Sequence, residues 1–235
     1  MMRSVHSGVA LAASSAVLVT SAAGAVHAGV RAPSDPGVCS GVSGCVVKAR
    51  TDVNGDGTPD TIGIARRGKD GAAQGAVIIR VKTGPGTIVS VRRKTEWWLG
   101  PLWQGTAALD GRRGREIVVG EISGAHAQYF RAVTWRHGQL VDLDAPGRER
   151  FWGIDGAVWI SAGWQHRAGD PEGTIRKRVA IRTGNATVSP FKGRITTYRW
   201  TRDGWGRVGT RTIYPLPDEV AWRWGGFHVP GLARW

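Results

Sequence analysis

Only two cysteines, Cys39 and Cys45, occur in the 235 residues, and they lie too close together for a disulfide to be the main support of the fold. Their spacing also fails the C-x-x-C pattern of a redox pair. No window keeps apolar residues at the 3.6-residue helical period, which excludes a helical fold. Behind the first 28 residues no segment reaches the roughly 18 uninterrupted apolar residues of a membrane-spanning helix. Acids are scarce too: 18 stand against 32 basic residues, only six of them Lys, and the formal net charge is +14. No recognised nucleic-acid motif accompanies that charge, so a nucleic-acid partner is not expected. Anionic cell-wall polymers or acidic polysaccharide are the attractors that such a field suits.

Catalytic motifs are also missing. No G-x-S-x-G, H-E-x-x-H or Gly-rich phosphate loop occurs. Two short matches to β-lactamase elements, "SPFK" (Ser189 to Lys192) and "KTG" (Lys82 to Gly84), stand in reversed order without the middle element. Pro190 and Gly193 deny Ser189 the helix that would bring Lys192 one turn away. No catalytic residue is assigned.

What is present begins with a leader. One charged residue, Arg3, precedes the small and apolar run "GVALAASSAVLVTSAAGAV" and then "VHA". This predicts a secretory signal peptide over residues 1–28, cut near Ala28 with Ala25 as second candidate, and hence a secreted, extracellular protein. Cys39 lies well past the apolar run, which argues against a lipid anchor. In an oxidising compartment an even cysteine count favours a Cys39–Cys45 disulfide, and the glycines and serines of "CSGVSGC" are flexible enough to close it. Residues 29–50 read as an N-terminal arm carrying that staple and 51–235 as one domain with a real core.

Short segments such as "DTIGIARR", "GAVIIRVKTG", "EIVVGEI", "YFRAVTW" and "ITTYRWT" are rich in β-branched and aromatic residues, and each is bounded by Gly, Pro, Asn or Asp. The chain is expected to be all-β. Most of its 12 Trp belong in the core, as in "EWWLGPLW".

Against so basic a background, "TDVNGDGTPDTIGIARR" (Thr51 to Arg67) concentrates oxygen donors: Asp52, Asn54 and Asp56 alternate, and Asp60 follows. Laying "ALDGRRGREIVVG" (Ala108 to Gly120) under Asp52 to Ile64, at an offset of 56 residues, sets Asp110 under Asn54, Gly111 under Gly55 and Glu116 under Asp60. A later segment, "TTYRWTRDGWGRVGT", has a similar strand, turn and strand look, with Asp203 and Gly204 in the turn. Its candidate lead-in, "GIDGAVWISAGW", keeps only Asp155 and Gly156.

"DVNGDGTPD" resembles the calcium loop of FG-GAP and VCBS repeat proteins, in which a short D-x-[DN]-x-[DN]-G-x-x-D loop precedes a strand of a β-propeller-like blade. Together with the leader and the Arg and Trp bias, it also resembles secreted actinobacterial proteins of that type. The resemblance implies short antiparallel strands in two or three blade-like repeats. A partial β-propeller-like arrangement or a compact β-sandwich would hold them, since a complete seven-bladed propeller needs a longer chain.

The chemistry of the loop points the same way. Calcium takes six to eight oxygens, and alternate side chains turned inward around a Gly can wrap it. Asp52, Asn54 and Asp56 would supply the first ligands, Thr58 a backbone carbonyl and Asp60 the closing carboxylate. An EF-hand would need a Glu where Gly63 stands. In the second copy Ala108 and Arg112 occupy ligand places, so that loop is expected to lack metal, with Arg112 bridging Asp110 and Glu116. Elsewhere, His126 and Gln128 alternate with alanines in "GAHAQYF" and could share one face as a ligand site. Two functions are compatible with these features. One is a non-enzymatic, calcium-binding β-repeat module for adhesion or envelope binding. The alternative is an extracellular hydrolase of cell-wall or other polysaccharide, using carboxylates such as Glu121 beside Trp platforms.

Overall fold

Turn-forming Gly, Asn, Asp and Pro divide the chain into short segments rich in Val, Ile, Thr and Trp, and nearly every segment becomes a strand. The computed structural model describes residues 37–68, 75–84, 86–185, 188–202 and 204–235; the expected leader 1–28 with its cleavage sites, residues 29–36 of the arm, and Asp203 lie outside them. All the described residues belong to one unit, Asp35–Trp235.

Strands β1 (Cys45–Thr51), β2 (Asp60–Arg67), β3 (Ala76–Lys82) and β4 (Ile88–Lys94) form an antiparallel meander in chain order. A second meander follows with β5 (Trp103–Ala107), β6 (Glu116–Ser123), β7 (Ala127–Arg136) and β8 (Gln139–Leu143). Next come β9 (Trp152–Ala157), β10 (Ile160–Gln165), β11 (Thr174–Arg182), β12 (Phe191–Thr201) and β13 (Gly204–Leu216). A short helix α1 (Asp218–Trp222) and β14 (Gly226–His228) end the chain, β14 lying parallel to β10. The outer half of β7 pairs with β8, while its first residues, Ala127 to Phe130, pair with β9. The second and third meanders therefore share one ten-stranded sheet, apart from the four-stranded first sheet. The fold is all-β, a layered sandwich of antiparallel sheets that do not close into a barrel among the described residues.

Burial explains the order of layers. Ile117 and Val119 of β6, with Val133 of β7, pack on Ile62, Ile79 and Val81 of the first sheet. Val118, on the opposite face, joins Trp97, Phe130, Trp152, Trp164 and Ile175 in a second core. A strand covered on both faces reads as a continuous apolar run, which is why "EIVVGEI" lacks alternation. Trp97, Trp152 and Trp164 are fully buried, and each large apolar side chain so removed from water stabilises the fold by about 1.5–3 kcal/mol. Trp97 lies where a β-carbon on Gly120 would stand, so the glycine makes room for the indole. On the far face of the third meander, Ala180, Phe191, Ile195 and Leu216 are covered by Ala221 and Trp224 from α1 and the turn behind it.

Cys39 and Cys45 form the expected disulfide. It lies on β2 at Gly63, where an added β-carbon would stand 2.9 Å from Cys45 Sγ and 3.0 Å from Cys39 Sγ. The bridge thus fastens buried Val38 and the start of β1, inside the expected arm, to the first sheet.

Candidate metal centre

The loop 52–60 joins β1 to β2 and is turned by Gly55 and Gly57, whose φ angles of 83° and 86° lie in the left-handed region that favours glycine. The amides of Gly55 and Gly57 donate to Asp52 Oδ1 and Oδ2 at 2.6 and 2.8 Å. The Asp56 amide donates to Asn54 Oδ1 at 3.0 Å, and the Thr58 amide to Asp56 Oδ1 at 2.7 Å. Asp60, at 0% exposure, accepts from the amides of Val53 (2.8 Å) and Asn54 (3.2 Å) through Oδ2 alone. Its Oδ1 is buried with no hydrogen-bond partner. Burial raises the Asp60 pKa, against the two amides and with help from the charges of Asp56 and Asp52. Asp56 is held below the usual carboxylate range by the Asn54 side chain and then by the Thr58 amide.

All five expected ligand residues thus share one loop, and their donors are oxygens, the set that suits a hard cation such as calcium. Their carboxylates are held by the loop's own amides. Among the described residues no three His, Cys, Asp or Glu side chains converge as a metal cage. The feature in favour of an ion is the orphaned Asp60 oxygen at the closing position.

The offset of 56 residues carries β2, Asp60–Arg67, onto β6, Glu116–Ser123, end to end. In the loop before β6 the Leu109 amide donates to Glu116 Oε2 at 2.7 Å, as Val53 does to Asp60, and the Arg112 amide to Asp110 Oδ1 at 2.9 Å, as Asp56 does to Asn54. The expected role of Arg112 is corrected here. Its guanidinium lies over the Trp200 ring, 5.8 Å from the centroid, and Asp110 is ion-paired instead by Arg136 from β7. Glu116 accepts from Thr134 Oγ1 at 2.9 Å. Burial, and next the charge of Asp110, push its pKa up to about 7.

The loop before β11 runs from His166 to Thr174 and also turns on a left-handed glycine, Gly169 at φ 83°. The lead-in expected at Asp155 and Gly156 lies in β9 instead. In this loop Asp170 takes the amide of Arg167 at 3.0 Å and is ion-paired by Arg176. The three loops abut: the Arg115 amide donates to Asp52 O at 3.0 Å, and a β-carbon on Gly173 would stand 2.6 Å from Asp110 O.

The other sequence candidates separate. His126 pairs with Asp155 Oδ1 at 2.9 Å through Nδ1, whereas Gln128 is half-buried in β7. Ala127 and Tyr129, the alternate residues, line the neighbouring cavity. Glu121 is 6% exposed and held by two bonds from Arg131, at 2.8 and 2.7 Å. Lys192 extends from a strand, not a helix. Comparison with protein-family models, with curated proteins and with solved structures finds no match to this chain.

Proposed function

We propose that the protein is a secreted, non-enzymatic β-repeat module that binds calcium in the loop 52–60 and acts by attachment in the envelope or extracellular space. The observation that carries this is Asp60 Oδ1, a buried acceptor without a partner at the closing position of an all-oxygen loop. Leaving such a group unsatisfied costs about 1–3 kcal/mol, which a bound cation would relieve. The side chains of Asp52, Asn54, Asp56 and Asp60 and the Thr58 carbonyl would hold the ion. Calcium supplies charge there, taking the loop from about minus three to about minus one. The chain does the rest: Asp52 O and Gly55 meet Arg115 and Arg113 of the second loop, so ordering residues 52–60 also fixes the contact between the two loops. The Arg136–Asp110 pair fills the corresponding place in that second loop, which is read as metal-free. The FG-GAP and VCBS resemblance, the leader and an anionic wall polymer or polysaccharide as partner belong to the same reading.

Thermal melts test it. An ion that binds only the folded state stabilises it by about 2.7 kcal/mol at a hundredfold excess over Kd. The melting temperature should rise with calcium, rise less with magnesium and fall in chelator. Asp56→Ala and Asp60→Asn should remove the dependence. A melt indifferent to millimolar calcium would show the loop to be a turn.

A further inference from the structure

One face of the third meander is open and cationic. Cross-strand register aligns Val179 with Arg194, Lys177 with Thr196, and Tyr198 with Arg207, so these side chains share one side of the sheet. They line a cavity of about 580 Å3, which Tyr129 of β7 also faces. A second cavity of about 860 Å3, containing Arg148, Trp200 and Trp205, shares Tyr198 and Arg207 with the first. A third, of about 400 Å3, shares Val179 and Arg194. The three adjoin as one groove across the strands, with room for a chain more than for a single small molecule.

Its charges do not balance. Glu149 is ion-paired with Lys177, Asp155 with His126, and Asp142 with Arg93 and Arg131. Among the described residues Arg148, Arg194 and Arg207 make no ion pair, and Asp144 is the one acid of the groove without one. Arg148 is held at φ 67°, a left-handed conformation uncommon outside glycine, in the turn that borders both larger cavities. Aromatic faces stand beside these cations. Tyr129 is 40% exposed and rests on Gly153, where a β-carbon would come within 3.2 Å of its ring. Trp205 is fixed by an Nε1 bond to Asp144 O at 2.9 Å.

We propose that this groove binds an acidic polysaccharide, its sugar rings on Tyr129, Tyr198 and Trp205 and its carboxylates on Arg148, Arg194 and Arg207. Aromatic side chains offer flat apolar faces with a polar tip, and the planar guanidinium fork matches a carboxylate. The proposal deepens the binding-module reading above and does not involve the loop 52–60.

The test uses the whole protein in chelator, with fluorescently labelled hyaluronan oligosaccharide as probe and dextran and polyphosphate as comparators. Arg194→Glu with Arg207→Glu should weaken hyaluronan binding by about tenfold per reversed charge. Arg92→Glu with Lys94→Glu, on exposed positions of β4, changes net charge equally and should weaken it by less than about threefold. Tyr129→Ala should also weaken binding, and dextran should not bind. If the charge reversal lowers the melting temperature, Arg194→Gln with Arg207→Gln makes the same comparison. Equal loss in groove and control variants, polyphosphate binding as tightly as hyaluronan, or no hyaluronan binding would each overturn the proposal. Failure here with a calcium-dependent melt intact removes the groove and leaves the metal site; the converse result does the opposite.

Discussion

Replacing Glu116 by Gln should stabilise the protein, and the gain should grow with pH. Glu116 is buried beside Asp110, and burial first, then that charge, raise its pKa from 4.5 to about 7. A carboxyl whose folded-state pKa lies above its unfolded value binds protons more tightly when folded. Its contribution is therefore fully present below about pH 4.5 and is lost as pH rises through about 7. With about 1.4 kcal/mol per unit, the difference between 4.5 and about 7 amounts to about 3 kcal/mol above neutrality. Gln keeps the shape, can accept from the Leu109 amide and can donate to Thr134 Oγ1, so both contacts of Glu116 have a counterpart. Urea unfolding of both proteins across the pH range reads the effect as a difference, in which groups that titrate alike in the two proteins cancel. The two should agree near pH 4 and diverge to about 3 kcal/mol, in favour of the variant, by about pH 8. A difference that does not change with pH would refute the reasoning.

The same loop separates two arginines. Arg136→Ala strands Asp110, whose side chain is 0% exposed, and should cost about 3–5 kcal/mol in chemical denaturation, whereas Arg112→Ala loses only a contact with Trp200 worth about 1 kcal/mol. Equal costs would restore Arg112 as the bridge. At the N-terminal end, no free thiol should be titratable in the oxidised protein, and removing the Cys39–Cys45 link should cost about 2 kcal/mol, as expected for so short a loop. Two reactive thiols would contradict the bridge.

The strands were legible because β-branched runs and their Gly, Asn and Asp boundaries are local signals: "DTIGIARR" coincides with β2, and "EIVVGEI" covers β6 but for its last residue. The disulfide was legible for the same reason. The partner of Asp110 was not, since Arg136 reaches it across a strand pair whose register no local pattern reveals. His126 lies outside β7 and turns to Asp155, while Ala127 and Tyr129 face the cavity, an arrangement that depends on β9 lying alongside β7 and that local alternation does not reveal. Helix α1, five residues long, is too short to carry a helical period. The groove draws side chains from several strands and has no sequence signature.

The central claim is that residues 52–60 hold calcium, and titration calorimetry of the chelator-treated protein tests it most directly. Wild type should give a saturable heat at one ion per chain, and Asp60→Asn, which keeps an acceptor for the Val53 amide but removes the closing charge, should abolish or greatly weaken it. Saturable binding undiminished in Asp60→Asn would place the ion elsewhere, and no heat in wild type would contradict the account.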